Sequence, residues 1–240
     1  MRSRLAAVVR KEFREYRRNR LIIITMALVP VIFLAIPIGT LAALPDEVPR
    51  EAVEAIVGQA MLFFLIIPVM LPTTIAAYTV IGEKEQSTLE PVLTTPATDE
   101  EILTGKALAA TVPSVLIAWL LFAVFLIFAA LAGSELVGEL VFRPGWIVAQ
   151  LALAPAVAVL AIEVGMAVSL RSSDIRVAQQ VAGLAMLPVL GGLVLFTLGV
   201  LEPTATTMLA CAVVIGAVDV AGWRLLVRLF DRERLLTKFG

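Results

Sequence analysis

The sequence predicts an all-α integral membrane fold with six transmembrane helices, on three observations. Hydrophobic residues make up 60% of its 240 residues, and a mean hydropathy of +0.98 is more apolar surface than a water-soluble domain can hide. Four stretches carry no charge, Leu21 to Leu44, Ala55 to Gly82, Ala107 to Ser134 and Val177 to Leu201, and each exceeds the roughly 20 residues that cross a bilayer. Two further stretches are interrupted by a single acid each: Glu163 within Pro144 to Leu170, and Asp219 within Pro203 to Trp223. About six spans of roughly 20 residues fill a chain of this length, so a single transmembrane domain over residues 1–240 is expected, with no room for a soluble one.

The distribution of Lys and Arg orients these spans. Eight lie before the first span, and Lys84 and Lys106 lie between the second and third. Arg171 and Arg176 lie between the fourth and fifth, and Arg224, Arg228, Arg232, Arg234 and Lys238 follow the sixth. Only Arg50 and Arg143 fall on the other side, a ratio of seventeen to two. The positive-inside rule then places both termini in the cytoplasm of a multi-pass protein of the cell membrane.

The elements follow in order. In residues 1–20, Leu5, Val9, Phe13 and Tyr16 fall in a narrow arc at about 100° per residue, with Arg10, Lys11, Arg14, Arg17 and Arg18 opposite. That pattern predicts an amphipathic helix lying at the bilayer surface, held by apolar burial and by anionic lipid; a purely topogenic basic tail is the competing reading. The apolar run that follows is too long for the core of a signal peptide, so it is expected to be retained. Spans are predicted at 21–44, 55–81, 107–133, 145–170, 177–201 and 204–223, with a tail over 224–240. Pro30, Pro37, Pro68, Pro72, Pro113, Pro155 and Pro188 lie inside them, as kinks whose freed carbonyls neighbouring helices can satisfy.

Composition removes several chemistries. The chain has no histidine, which rules out Ser-His dyads, His-ligated zinc and histidine proton relays. Its one cysteine, Cys211, lies in an apolar run and reads as a small core residue. No metal site is expected, and copper lacks a Met, Cys or His cluster to bind it.

The longest polar stretch between spans runs from Gly82 to Lys106 and holds six of the twenty acidic residues. It ends in Gly105-Lys106, yet a phosphate-binding loop needs glycine where this chain has Glu100 and a hydroxyl where it has Ala107. No nucleotide cofactor is therefore expected on this chain. The stretch does carry helix punctuation. Pro96 breaks the chain, Thr98 can cap, and Glu101 completes a capping box, with Asp99, Glu100 and Glu101 in the first turn where the helix dipole favours negative charge. A short, rigid cytosolic helix is predicted there, and Ser87 with Glu90 forms a second, weaker box ahead of Pro91. A solvated connector is the competing reading.

The run Glu83-x-Glu85-x-x-Thr88-Leu89-Glu90-x-x-Leu93-x-Thr95-Pro96, followed by Glu101-Ile102-Leu103-x-Gly105-Lys106, closely resembles the cytosolic loop of type-2 ABC exporter permeases. The likeness extends to Lys11-Glu12-Phe13 before the first span and to the basic end from Leu229 to Leu236. The resemblance implies a permease subunit that performs no covalent chemistry itself. It implies two copies, identical or different, forming the path, and a separate ABC ATPase that binds ATP and magnesium. It also implies that Thr88 to Lys106 forms a coupling helix docked into that ATPase, with Leu5 to Arg18 lying along the membrane beside it. Many members carry a basic residue after the Thr-Pro, where this chain has Asp99, Glu100 and Glu101; the partner's docking surface is accordingly expected to be basic. Lipid is the remaining partner, and no nucleic acid is expected.

Glu163 and Asp219 each cost roughly 2.5 to 3.5 kcal/mol to insert, which makes an intramembrane acid a functional candidate. Glu163 sits about two turns, and Asp219 about one and a half, from the basic ends of their helices. Either can pair with Arg171, Arg176 or Arg224 as a clamp between helices, or line a cation or substrate path. The alternative function is thus an ion-coupled secondary transporter using these two residues, although no inverted repeat accompanies them.

Overall fold

The computed structural model describes residues 2–45, 48–85, 97–172 and 174–230. Helix α1 spans Arg2–Tyr16, α2 Arg20–Ala42 and α3 Arg50–Glu85; α4 spans Asp99–Ala132 and α5 Glu135–Val141. Helix α6, Pro144–Val148, runs through a π turn at Ala149–Leu153 into α7, Ala154–Ser169. Then come α8, Ile175–Ala185, α9, Leu187–Thr197, and α10, Ala205–Leu229. Five stretches are long and apolar enough to cross a membrane, and the α8–α9 pair makes a sixth if it is one bent span.

Side-chain oxygens restart the chain at its turns. Asn19 Oδ1 accepts from Ile22 N at 3.3 Å, Ser134 Oγ from Val137 N at 3.4 Å, Asp174 Oδ1 from Arg176 N at 2.7 Å and Thr204 Oγ1 from Thr207 N at 3.1 Å. Each satisfies a donor that a helix start leaves open.

The centre of the bundle is α3 against α7. In its most apolar window α3 is 61% buried, whereas α2 and α10 are 17% and 11% buried and so flank the bundle. Ile24, Leu28 and Val31 of α2, Leu120 and Ile127 of α4, and Val213 and Val214 of α10 are exposed, forming faces that lipid covers. In lipid there is no hydrophobic force between helices, so close packing must hold them. Helix α7 presents buried Ala154, Ala158, Ala161 and Gly165 at helical spacing, and a Cβ on Gly165 would collide with Ala76 of α3. Phe64 of α3 packs on Phe122 and Phe125 of α4 with ring centroids 5.7 and 4.9 Å apart.

The prolines divide by consequence. Those at 30, 37, 68, 72 and 113 sit inside continuous helices; beside Pro72, the Thr73 and Thr74 hydroxyls donate to the Val69 and Met70 carbonyls at 2.8 and 2.9 Å. Pro155 follows the π turn, whose wider pitch gives Ala154 N a partner in the Ala149 carbonyl and relieves the ring's clash with the preceding turn. Pro188 breaks its helix. The predicted span 177–201 therefore consists of two helices: α8 and α9 meet at Met186 with a bend of 42°.

At the end away from the basic residues, the two lone arginines are both paired. Arg50 Nη2 lies 2.6 Å from Glu139 Oε1, and Arg143 bonds Glu54, so the pairs tie the start of α3 to α5 and to the turn that follows it. Beside them a cavity of about 980 Å³ is bordered by Glu51, Trp146, Glu202 and Thr204.

Candidate functional site

Thr98 and Glu101 form the capping box that their spacing predicts. Glu101 N donates to Thr98 Oγ1 at 3.2 Å, and Thr98 N donates to Glu101 Oε2 at 3.0 Å. The helix it opens is not the short separate element expected. It continues without a break into the third span, 34 residues in all, which is about 50 Å and well beyond the bilayer core. Nothing between Glu101 and Pro113 stops a helix except Gly105, and a lone glycine costs only about 1 kcal/mol.

Gly105 is the seat of α1. A Cβ there would lie 2.5 Å from Val8 Cγ1 and 2.8 Å from Val8 Cβ, so the two backbones approach this closely only because residue 105 has no side chain. One turn along α1, Glu12 Oε1 meets Lys106 Nζ at 2.9 Å, with both side chains 2% exposed. Lys11 Nζ approaches the same oxygen at 3.3 Å and also pairs with Glu15 at 2.9 Å. Burial pushes the Glu12 carboxyl up, and the ammonium groups of Lys106 and Lys11 outweigh it, holding the carboxyl below its usual range.

The inner face of α1 keeps part of the expected apolar arc and adds an acid to it. Tyr16 is buried and Val9 packs against its cluster, as the arc predicts, whereas Phe13 is exposed and Glu12 is buried; Leu5, Val9 and Phe13 border a shallow groove with Leu108. The reason is electrostatic: Lys106 sits on α4 where only an anion can face it without leaving a buried charge uncompensated.

The remaining predicted residues fall in three places. Glu83 and Glu85 lie in the last turn of α3. Thr88, Leu89, Glu90, Thr95 and Pro96, with the Ser87 box, lie outside the described residues. Ile102 and Leu103 are 1% and 0% exposed, and Leu103 packs in a cluster with Tyr16, Ile22, Ile75, Ile162, Met166 and Leu226. Glu100 faces outward and Asp99 is half-buried. Sequence reasoning noted Lys11-Glu12-Phe13 and Gly105-Lys106 separately and missed that they close on each other.

Glu163 and Asp219 lie on α7 and α10, which pack together. The expected clamps do not form: among the described residues neither acid pairs with Arg171, Arg176 or Arg224, which are all exposed. The arginines sit at helix ends where they reach solvent at little cost, whereas both acids point into the seam between the helices.

Apolar helices of spanning length, packed through small residues and closed at one end by a buried ion pair, define an all-α, multi-pass integral membrane protein. The family model described as ABC-2 family transporter protein matches residues 6–231. The chain belongs to that family and is a membrane permease of an ABC transporter. No curated protein matches it.

Proposed function

We propose that the chain is the membrane subunit of an ATP-driven exporter of the cell membrane, working as a dimer of permeases coupled to a separate ATPase that holds ATP and magnesium. Both termini lie in the cytoplasm, a reading supported by the bias of Lys and Arg to that side. One observation carries the coupling: the reciprocally capped start of α4, continuous with a membrane span and locked to α1 by a buried ion pair. A helix end that is rigid and continuous with a span transmits displacement, whereas a connector absorbs it. Asp99 and Glu100, beside the cap, supply the acidic surface for a basic groove on the ATPase. The family match favours this reading over the secondary transporter.

The test is co-purification. Loss of a cap costs about 1 kcal/mol, which frays the start of α4 and must be recovered on docking. The tagged chain is expected to retain an ATPase subunit, and Thr98→Ala with Glu101→Ala to retain several-fold less at unchanged abundance. Equal retention by the double variant, or no ATPase with the wild type, refutes the coupling role.

A further inference from the structure

Among the described residues, two carboxylates within the membrane take part in no ion pair. Glu163 and Asp219 are 4% and 8% exposed, and Glu163 Oε2 and Asp219 Oδ1 have no hydrogen-bond partner among the described residues. Their placement brings them to one seam. Asp219 and Gly222 are three residues apart and share a face of α10, and the Glu163 carboxylate lies against Gly222 so closely that a Cβ there would collide with Oε2. Gly222 is what lets Glu163 reach α10, on the face that also carries Asp219 one turn away.

The other elements around the seam bring no counter-charge among the described residues. Helix α3 offers Thr73 and Ala76 beside Gly165. The lysine at the start of α4, Lys106, is held by Glu12. On α8, Arg176 is exposed, as are Arg171 after α7 and Arg224 on α10. The π turn carries Gln150, which is neutral.

Two ionised carboxylates side by side in such surroundings each bear the cost of burying a charge and repel one another; carboxyl pairs escape this by holding a proton between them. A hard metal ion calls for six or more oxygen ligands, yet the described residues bring together no group of three or more His, Cys, Asp or Glu side chains. A proton needs only one donor and one acceptor. With one carboxyl protonated, its O–H can donate through a bridging water to the other carboxylate, and both orphan oxygens are satisfied.

We propose that Glu163 and Asp219 form a proton-binding carboxyl pair at the α7–α10 seam. It holds a proton while the seam is closed and gives it to water when the seam opens. The site goes beyond the coupling reading and stands without it, since it is tested with no ATPase present.

The experiment is an infrared titration of the full-length protein in lipid nanodiscs, from acidic to alkaline pH. The wild type is expected to show a protonated-carboxyl C=O band at neutral pH that shifts in D2O and disappears on alkaline titration. Glu163→Gln and Asp219→Asn are each expected to lose that neutral-pH band. A wild type without the band, or both variants retaining it, overturns the proposal. So does a band removed at constant neutral pH by sodium, magnesium or calcium chloride, which identifies a metal site instead. The wild-type titration and the salt series need no substitution, so they decide the matter even if a variant fails to fold.

Discussion

Lys106→Met removes one end of the buried pair that seats α1 and leaves the other end in place. Methionine keeps the apolar bulk of the lysine stem, so the loss is chiefly one of charge. Glu12 then remains buried with Lys11 Nζ, at 3.3 Å, as its cation. Deleting one partner of a buried pair costs about 3 to 5 kcal/mol. Lys11 offsets part of this, so the lower figure applies, about 3 kcal/mol, or a shift of roughly a hundredfold in favour of undocked α1. Amide hydrogen exchange reads it directly: α1 is expected to exchange about two orders of magnitude faster while α3 and α7 are unchanged. Adding Glu12→Leu should return most of the protection, because an apolar replacement of a buried pair is often neutral. The pH response has opposite signs in the two proteins. In the wild type the Glu12 carboxyl is held low, so its contribution is complete above the usual carboxylate range and is lost as pH falls through the lowered value. In Lys106→Met only Lys11 opposes the burial, so the carboxyl rises relative to the wild type, and acidification neutralises Glu12 sooner and shrinks the defect. Wild-type exchange in the single variant, or a double variant as fast as the single, refutes the latch.

Gly105→Val tests the same seat through shape: the added side chain meets Val8, and overpacking of about 1 to 3 kcal/mol should speed α1 exchange with the ion pair intact. Unchanged exchange would show that α1 does not rest there. For orientation, in a Cys211→Ala background, cysteines replacing Asp46 or Glu139 should react with an impermeant thiol reagent on intact cells, and one replacing Glu100 only after permeabilisation. The reverse pattern removes both the orientation and the coupling role.

Much of this was legible in the sequence because lipid enforces simple rules. Apolar runs report spanning helices, and the Thr98–Glu101 box reports a helix start from four residues of local chemistry. What was not legible depends on contacts distant in sequence. Glu12 lies on a helix whose apolar arc, read alone, runs through Leu5, Val9, Phe13 and Tyr16; only Lys106, 94 residues away, explains why an acid is buried beside it. The clamps expected for Glu163 rested on distance along its own helix, whereas its direction is set by Gly222 on another. Pro188 and Pro113 look alike in sequence, yet only the first breaks its helix. In each case tertiary neighbours decide what local pattern leaves open.

The latch and the carboxyl pair meet in one packing layer. Leu103, near the capped start of α4, shares a buried cluster with Ile162, Met166 and Leu226. Ile162 precedes Glu163, and Leu226 lies one turn beyond Gly222 on α10. Close-packed interiors do not deform continuously; they rearrange between discrete packings. Helix α4 is unbroken from its cap into the membrane, and α1 is fixed to it by Glu12–Lys106, so a displacement at Asp99 and Glu100 has no hinge in which to dissipate. One route out of that layer is the α7–α10 seam, where Glu163 lies against Gly222. Under the proposed coupling, a push from the ATPase would reach the carboxyl pair through side-chain contact. The proton would then leave at the step that separates α7 from α10, because only a wetted carboxylate can afford its charge.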